Sequence, residues 1–143
     1  MFALLLSLFS CSDTYRDFQS VKDMKWYKED YKTFEVDIKE EGYYDLFFAM
    51  RYSTGYPFKQ IKIIIAQKQP DGTEFFKDAE IMIANEQNEY IGEVTGQLWD
   101  IETLVSEKTY LNKGKYIFKI SHAMNNDPVV LVIDVGLVIK QSE

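Results

Sequence analysis

The 143-residue sequence predicts an all-β protein, a two-layer antiparallel β-sandwich of jelly-roll type with about eight or nine strands. Three observations carry this. Apolar residues recur with period two in segment after segment, as the alternate side chains of a half-buried strand must. Those segments are short, and Gly, Pro, Asn and Asp turn signals separate them at the spacing of a sandwich. Finally, 46% hydrophobic and 15% aromatic residues in a chain of single-domain length are enough to fill one core.

Residues 2–9 form an apolar run broken only by Ser7, far shorter than the roughly 20 residues a membrane-spanning helix needs. The run matches the apolar region of a secretory signal and leads into Leu8-Phe9-Ser10-Cys11, close to a bacterial lipobox but with the bulky Phe9 where a smaller residue is usual and no Lys or Arg ahead of the run. The competing reading is an ordinary cleaved signal, or an apolar N-terminus with an incidental cysteine. That the chain's sole cysteine stands where acylation requires one favours a lipid anchor on Cys11. Residues 1–10 are then a signal peptide, residues 11–21 a polar tether with no periodicity, and residues 22–143 the sandwich.

Within the domain, Trp26 reads most simply as a lid on one end of the core. Residues 33–38 alternate, with Phe34, Val36 and Ile38 inward, and a polar turn at residues 39–42 leads into a neighbouring, antiparallel strand. That strand opens the organising stretch, residues 42–58 (GYYDLFFAMRYSTGYPF): Tyr44, Leu46, Phe48, Met50 and Tyr52 share one face, Tyr43, Asp45, Phe47, Ala49 and Arg51 the other. Residues 60–69 carry Ile61, Ile63 and Ile65 inward and Ile64 and Ala66 outward, the mark of an interior strand. Pro70-Asp71-Gly72 turns the chain into residues 74–84, giving a hairpin.

A loop at residues 85–89 precedes a short strand at 90–93 and a break at Thr95-Gly96. Residues 100–105 read as a helical turn capped by Asp100. Asn112-Lys113-Gly114 joins residues 107–111 to residues 115–124 as a hairpin. In the second of these segments Tyr116, Phe118, Ile120, His122 and Met124 share a face. The last strand, residues 129–140, sets Leu131, Ile133, Val135, Leu137 and Ile139 inward, and Gly136 opposite them marks a bulge or a close backbone approach.

Composition excludes several functions. Sixteen basic and 23 acidic side chains give a net charge of −7, which repels polyanions and argues against nucleic acid as a partner. One cysteine rules out a cysteine-rich zinc site and one histidine leaves few routes to a histidine metal cluster, so no metal and no cofactor are expected. His122, among apolar neighbours, reads as a packed core histidine rather than a base. Asp45, Arg51 and Asp134 read as cross-strand ion pairs. No serine or threonine has an identifiable base, so no hydrolase triad can be built and the chain is not expected to be an enzyme. One sharper reading concerns the aromatics: if exposed together, Trp26, Tyr43, Phe47, Tyr56, Phe58 and Trp99 form a surface for a protein partner or for polysaccharide. The alternative is that they cover the ends and outer face of the sandwich.

Trp26, Tyr44-Asp45-Leu46-Phe47-Phe48 followed by Arg51, Tyr56-Pro57-Phe58, Pro70-Asp71-Gly72, Gly92, Gly96 with Trp99, Gly114-Lys115-Tyr116 and Asp134-Val135-Gly136-Leu137 occur in that order. Together they resemble the GldH family of gliding-motility lipoproteins from Bacteroidota, from Cys11 to the C-terminus. The resemblance implies an acylated Cys11, attachment to a cell-envelope membrane, and partners among the envelope proteins of the motility or secretion apparatus. It implies no activity and no catalytic residues. The expected function is a membrane-anchored lipoprotein acting by protein contacts, with a surface carbohydrate-binding sandwich as the alternative.

Overall fold

The computed structural model describes residues 14–143, so Cys11 and the signal segment lie outside the described residues. Eleven strands form: β1 (Tyr15–Ser20), β2 (Lys25–Trp26), β3 (Lys32–Ile38), β4 (Gly42–Ser53), β5 (Gln60–Lys68), β6 (Glu74–Met82), β7 (Glu93–Thr95), β8 (Leu98–Leu111), β9 (Gly114–His122), β10 (Val129–Val130) and β11 (Val132–Gln141). Eight of them have six residues or more, which matches the expected number; β2, β7 and β10 are short additions. One sheet runs β1-β11-β4-β8-β7 and the other β3-β9-β5-β6, with β10-β2 as a small ribbon.

The order follows from a single long ribbon of antiparallel pairs. Among the eight long strands the first pairs with the last (β1 with β11), the second with the seventh (β3 with β9), the third with the sixth (β4 with β8), and the fourth with the fifth (β5 with β6). Rolling that ribbon alternates its pairs between two sheets, which is the jelly roll. The rolling overturns two local expectations. β3 and β4 are not partners, and neither are β8 and β9; residues 39–41 and 112–113 cross between the sheets instead of turning hairpins. Both crossings are tied by a tyrosine reaching back four residues, Tyr44 Oη donating to the Glu40 carbonyl and Tyr116 Oη to the Asn112 carbonyl. The hairpin at Pro70-Asp71-Gly72 is real because it closes the end of the ribbon.

Between the sheets lies one core. Tyr44, Leu46, Phe48, Met50 and Tyr52 of β4 are all buried, as their alternation requires, and they face Ile61, Ile63 and Ile65 of β5 and Tyr116, Phe118 and Ile120 of β9. β5 is an interior strand, between β9 and β6. Lys32 occupies the inward register of β3 ahead of Phe34, Val36 and Ile38, yet is accommodated: its Nζ donates to the Ser20 carbonyl at 2.9 Å and pairs with Asp30 at 2.7 Å. A long stem can cross an apolar wall while the ammonium stays solvated by acceptors.

Three further expectations need correction. Residues 15–20 of the expected tether form β1, paired along its length with β11; the segment looks aperiodic because it is an edge strand with charged side chains on its exposed positions. Residues 100–105 are strand, not helix. Ile101, Leu104 and Val105 have helical spacing only because Leu104 is on the outer face, 45% exposed. In the last strand the odd positions face the core from Val135 to Ile139, but a bulge between Val132 and Asp134 reverses the register before it, so that Val132 is buried and Leu131 and Ile133 only partly; Val129, on β10 beside Trp26, is buried as well. The expected short strand at residues 90–93 is displaced, becoming a bridge from Tyr90 to Ala84 and then β7.

Gly136 is the close approach its position suggested. A Cβ built there would lie 2.5 Å from Cδ1 of Phe18 and 3.1 Å from the Asp17 carbonyl oxygen, so the Phe18 ring lies directly on the β11 backbone. Gly136→Val is expected to lower stability by about 1–3 kcal/mol, the usual range for overpacking. Urea unfolding checks this, and unchanged stability would mean that β1 shifts freely.

Candidate functional site

The outer face of the five-stranded sheet holds an open groove of about 770 Å³. Its shape follows from side-chain size. Phe18, Gly136, Ala49 and Glu102 stand in one row across β1, β11, β4 and β8, and the two small residues in the middle leave a trough between a ring and a carboxylate. The adjacent row is charged: Asp134, Arg51, Asp100 and Glu93 are successive neighbours on β11, β4, β8 and β7.

Arg51 donates from Nε and Nη2 to the two oxygens of Asp100, at 2.9 and 3.0 Å. That bidentate pair, with Asp134 nearby, raises the guanidinium pKa further. Glu102 accepts from Arg16 Nη1 at 2.6 Å and from Lys140 Nζ at 3.1 Å. Burial pushes its carboxyl up, but these two partners outweigh it and hold the pKa below the usual range. Asp45 is far from Arg51, accepting from the Lys108 backbone N–H and the Ser142 hydroxyl, and those bonds lower its pKa. Pairs of this kind on a sheet surface each contribute only about 0.2–1 kcal/mol. They give the groove a fixed pattern of charge.

His122 stands in the other sheet with its ring inside the core, 2% exposed. Nδ1 accepts from the Met124 backbone N–H at 3.2 Å, so the ring proton sits on Nε2, which faces Asp127 Oδ1 at 3.2 Å. Trp26 meets the ring edge-on, with centroids 5.4 Å apart. Desolvation lowers the imidazole pKa below its ordinary 6.5, with Asp127 opposing. The unfolded chain therefore binds the proton first as pH falls. Stability held above pH 6.5 is expected to decline as the pH drops through 6.5 toward the folded-state value, and an NMR titration of the ring should give a midpoint below 6.5. Among the described residues, no group of three or more His, Cys, Asp or Glu could hold a metal ion.

The six aromatics singled out in the sequence do not assemble into one surface. Trp26 is fully buried and donates from Nε1 to the Asp30 carbonyl at 2.9 Å; Tyr56 is buried too. Phe58 and Trp99 are half-buried and pack on the core. Tyr52, Tyr56, Phe58, Tyr90 and Trp99 form a connected set of rings, with centroid distances of 5.3–6.4 Å. This set pins the loop after β4 to the connection before β7: Tyr52 Oη donates to the Ile91 carbonyl and Tyr90 Oη to the Tyr56 carbonyl. Phe47 lies under Lys140, whose Nζ is 4.7 Å from the ring centroid. Only Tyr43 is exposed, edge-on to Tyr110 at 5.2 Å.

The rings that do reach solvent together went unread in the sequence. Phe75 and Phe76 of β6 are 54% and 69% exposed, and with Tyr110 they line a groove on the open side of the sandwich, between β6 and β8. A signal existed: two adjacent aromatics on a strand point to opposite faces, so one of the doublet must leave the core in any register.

Fold and site together define a jelly-roll sandwich whose described surface carries open grooves of paired charge and exposed rings. The chain belongs to the GldH lipoprotein family, whose model matches residues 13–139. It is 27% identical over 146 residues to the gliding motility lipoprotein GldH of Flavobacterium johnsoniae, a match covering 95% of this chain and 91% of that protein. Among solved structures, a crystallised protein from Sulfurospirillum deleyianum superposes with a TM-score of 0.43 at 17% identity, covering 88% of this chain and 98% of that one. The Eiger TNF of S. frugiperda gives 0.38 at 10% identity, covering 76% and 66%. Likeness at that level bears on neither activity nor partners.

Proposed function

We propose that the chain is a non-enzymatic component of the envelope machinery behind gliding motility or its associated secretion, held to a membrane by lipid on Cys11 and acting through protein contacts. The observation that carries this reading is the family match across nearly the whole sandwich. The site is consistent with it: in the outer groove Arg51 is committed to Asp100 and Glu102 to Arg16 and Lys140, and the one histidine is enclosed in the core.

With β1 beginning at Tyr15, and Thr14 N–H already bonded to the Ile139 carbonyl, only residues 12 and 13 separate an acylated Cys11 from the fold. Fully extended, so short a link spans roughly 10 Å. The sandwich is thereby held against the bilayer, and confinement raises the effective concentration of membrane partners enough for weak contacts to suffice.

Affinity purification of the full-length protein from membranes of its own host tests the reading. Recovery of motility or secretion proteins is expected, together with a lipid-modified first residue by mass spectrometry and loss of both in Cys11→Ser. An unmodified thiol, or retention of polysaccharide without any protein partner, overturns it.

A further inference from the structure

β6 is a long, regular edge. Natural sheets blunt their edges with short strands, proline, bulges or inward charges, because a row of unpaired N–H and C=O groups invites another strand. At the end of the other sheet β7 has three residues, and the exposed half of β8 is interrupted by register shifts. β6 instead pairs with β5 through nine consecutive residues with no shift and no proline, and among the described residues it has no second neighbour. Its only blunting comes from charged side chains, Glu74, Asp78 and Glu80 on the outer face and Lys77 in an inward register.

Which backbone groups face outward can be derived. Gln69 N–H donates to the Thr73 carbonyl and Ile83 N–H to the Lys59 carbonyl, so these opposed residues are hydrogen-bonded pairs at the two ends of one ladder. Antiparallel ladders alternate, so Phe75, Lys77, Ala79 and Ile81 bond to β5. The N–H and C=O groups of Glu74, Phe76, Asp78, Glu80 and Met82 point away from the sheet. Phe76 is the most exposed large apolar side chain among the described residues, and Phe75 opens into the groove of about 280 Å³ shared with Val105 and Tyr110 of β8.

Charge specifies what would fit. On the outer face Glu74 and Glu80 stand opposite Lys68 and Lys62 of β5, while Asp78 stands opposite Ile64 and has no cation across from it. The alternation of sign continues outward only if the next strand is basic. A second copy of β6 does not supply this, since each edge brings three carboxylates and one ammonium to the seam, and like charges across strands destabilise. Resting on the contact reading above, we infer that β6 is a strand-addition site for an extended, basic segment of a partner protein. That segment places apolar residues over Phe75 and Phe76, cations beside Asp78 and Glu80, and a carboxylate opposite Lys77.

Proline separates the backbone from the side chain. Asp78→Pro removes an outward N–H and leaves the β5 ladder intact, whereas Lys77→Pro removes an inward one, so only the second is expected to lower the melting temperature substantially. In the native host, the full-length protein carries a photo-crosslinking phenylalanine at position 76, with the exposed Tyr27 position, just after β2 and off the β6 edge, as the control. One main adduct is expected at 76, mapping to a Lys/Arg-rich stretch of another polypeptide. Its yield should fall at least tenfold in Asp78→Pro and less than threefold in Asp78→Asn. Adducts to lipid, glycan or a second copy, no adduct, or equal yield in Asp78→Pro overturn the assignment. If purification still recovers motility or secretion proteins in that case, only the edge is wrong; if the parent protein recovers none, the contact reading fails with it.

Discussion

Trp26→Ala is expected to lower the unfolding free energy by about 3–5 kcal/mol, the range for emptying a large aromatic site in a core. The indole is fully buried at the end of the sandwich where β2 pairs with β10, so its loss leaves a void that two-residue strands are poorly placed to fill. Two partners are stranded with it: the Asp30 carbonyl loses its donor, and the His122 ring loses the edge contact that shields it from water. Urea unfolding followed by circular dichroism gives the difference directly. The same variant should move the His122 titration midpoint up toward 6.5, because desolvation is what depresses it. A loss under 1 kcal/mol would show that this end of the core can collapse.

Gly92→Ala should cost about 2–4 kcal/mol, more than its size suggests. Gly92 has φ near +119°, where a side chain is strained, and a Cβ there would come within 2.4 Å of the Asp100 carbonyl oxygen and 2.8 Å of Ile101 Cγ2. The oxygen belongs to the backbone of β8 and cannot move aside without disturbing the pairing of Asp100 with Arg51. The connection carrying Gly92 has to lift instead, breaking the hydrogen bond from Tyr52 Oη to the Ile91 carbonyl. Hydrogen exchange should therefore quicken first at residues 93–100, with the β5 and β9 amides unaffected. Uniform destabilisation would place the strain elsewhere.

Much of the fold was legible because period two survives wherever one face is buried. The buried set on β4, the triple isoleucine of β5 and the shared face of β9 were all readable from alternation. Pairing was less so. The turns at residues 39–42 and 112–114 look like hairpin turns because turn chemistry is local, while the choice between a hairpin and a crossing depends on how a ribbon of distant pairs rolls up. β1 was hidden for a related reason: an edge strand on a charged face has no alternation to show. The candidate surface was the least legible part. Trp26 and Tyr56 are residues whose polar tips find backbone carbonyls inside the fold, and nothing in their spelling distinguishes this from a ring facing solvent. The Arg51–Asp100 pair joins residues on strands far apart in sequence, so no local pattern could reveal it.

The pairing of β1 with β11 brings together segments on the order of a hundred residues apart, and chains dominated by such contacts fold slowly. A polypeptide delivered N-terminus first reaches the membrane with its opening strand unable to find its mate until nearly everything else has followed. Until then β4 also lacks one neighbour, and the unfinished chain exposes bare strand edges of the kind that aggregate. Were the chain exported in this order, as the proposed anchor on Cys11 implies, its folding would wait on the arrival of β11.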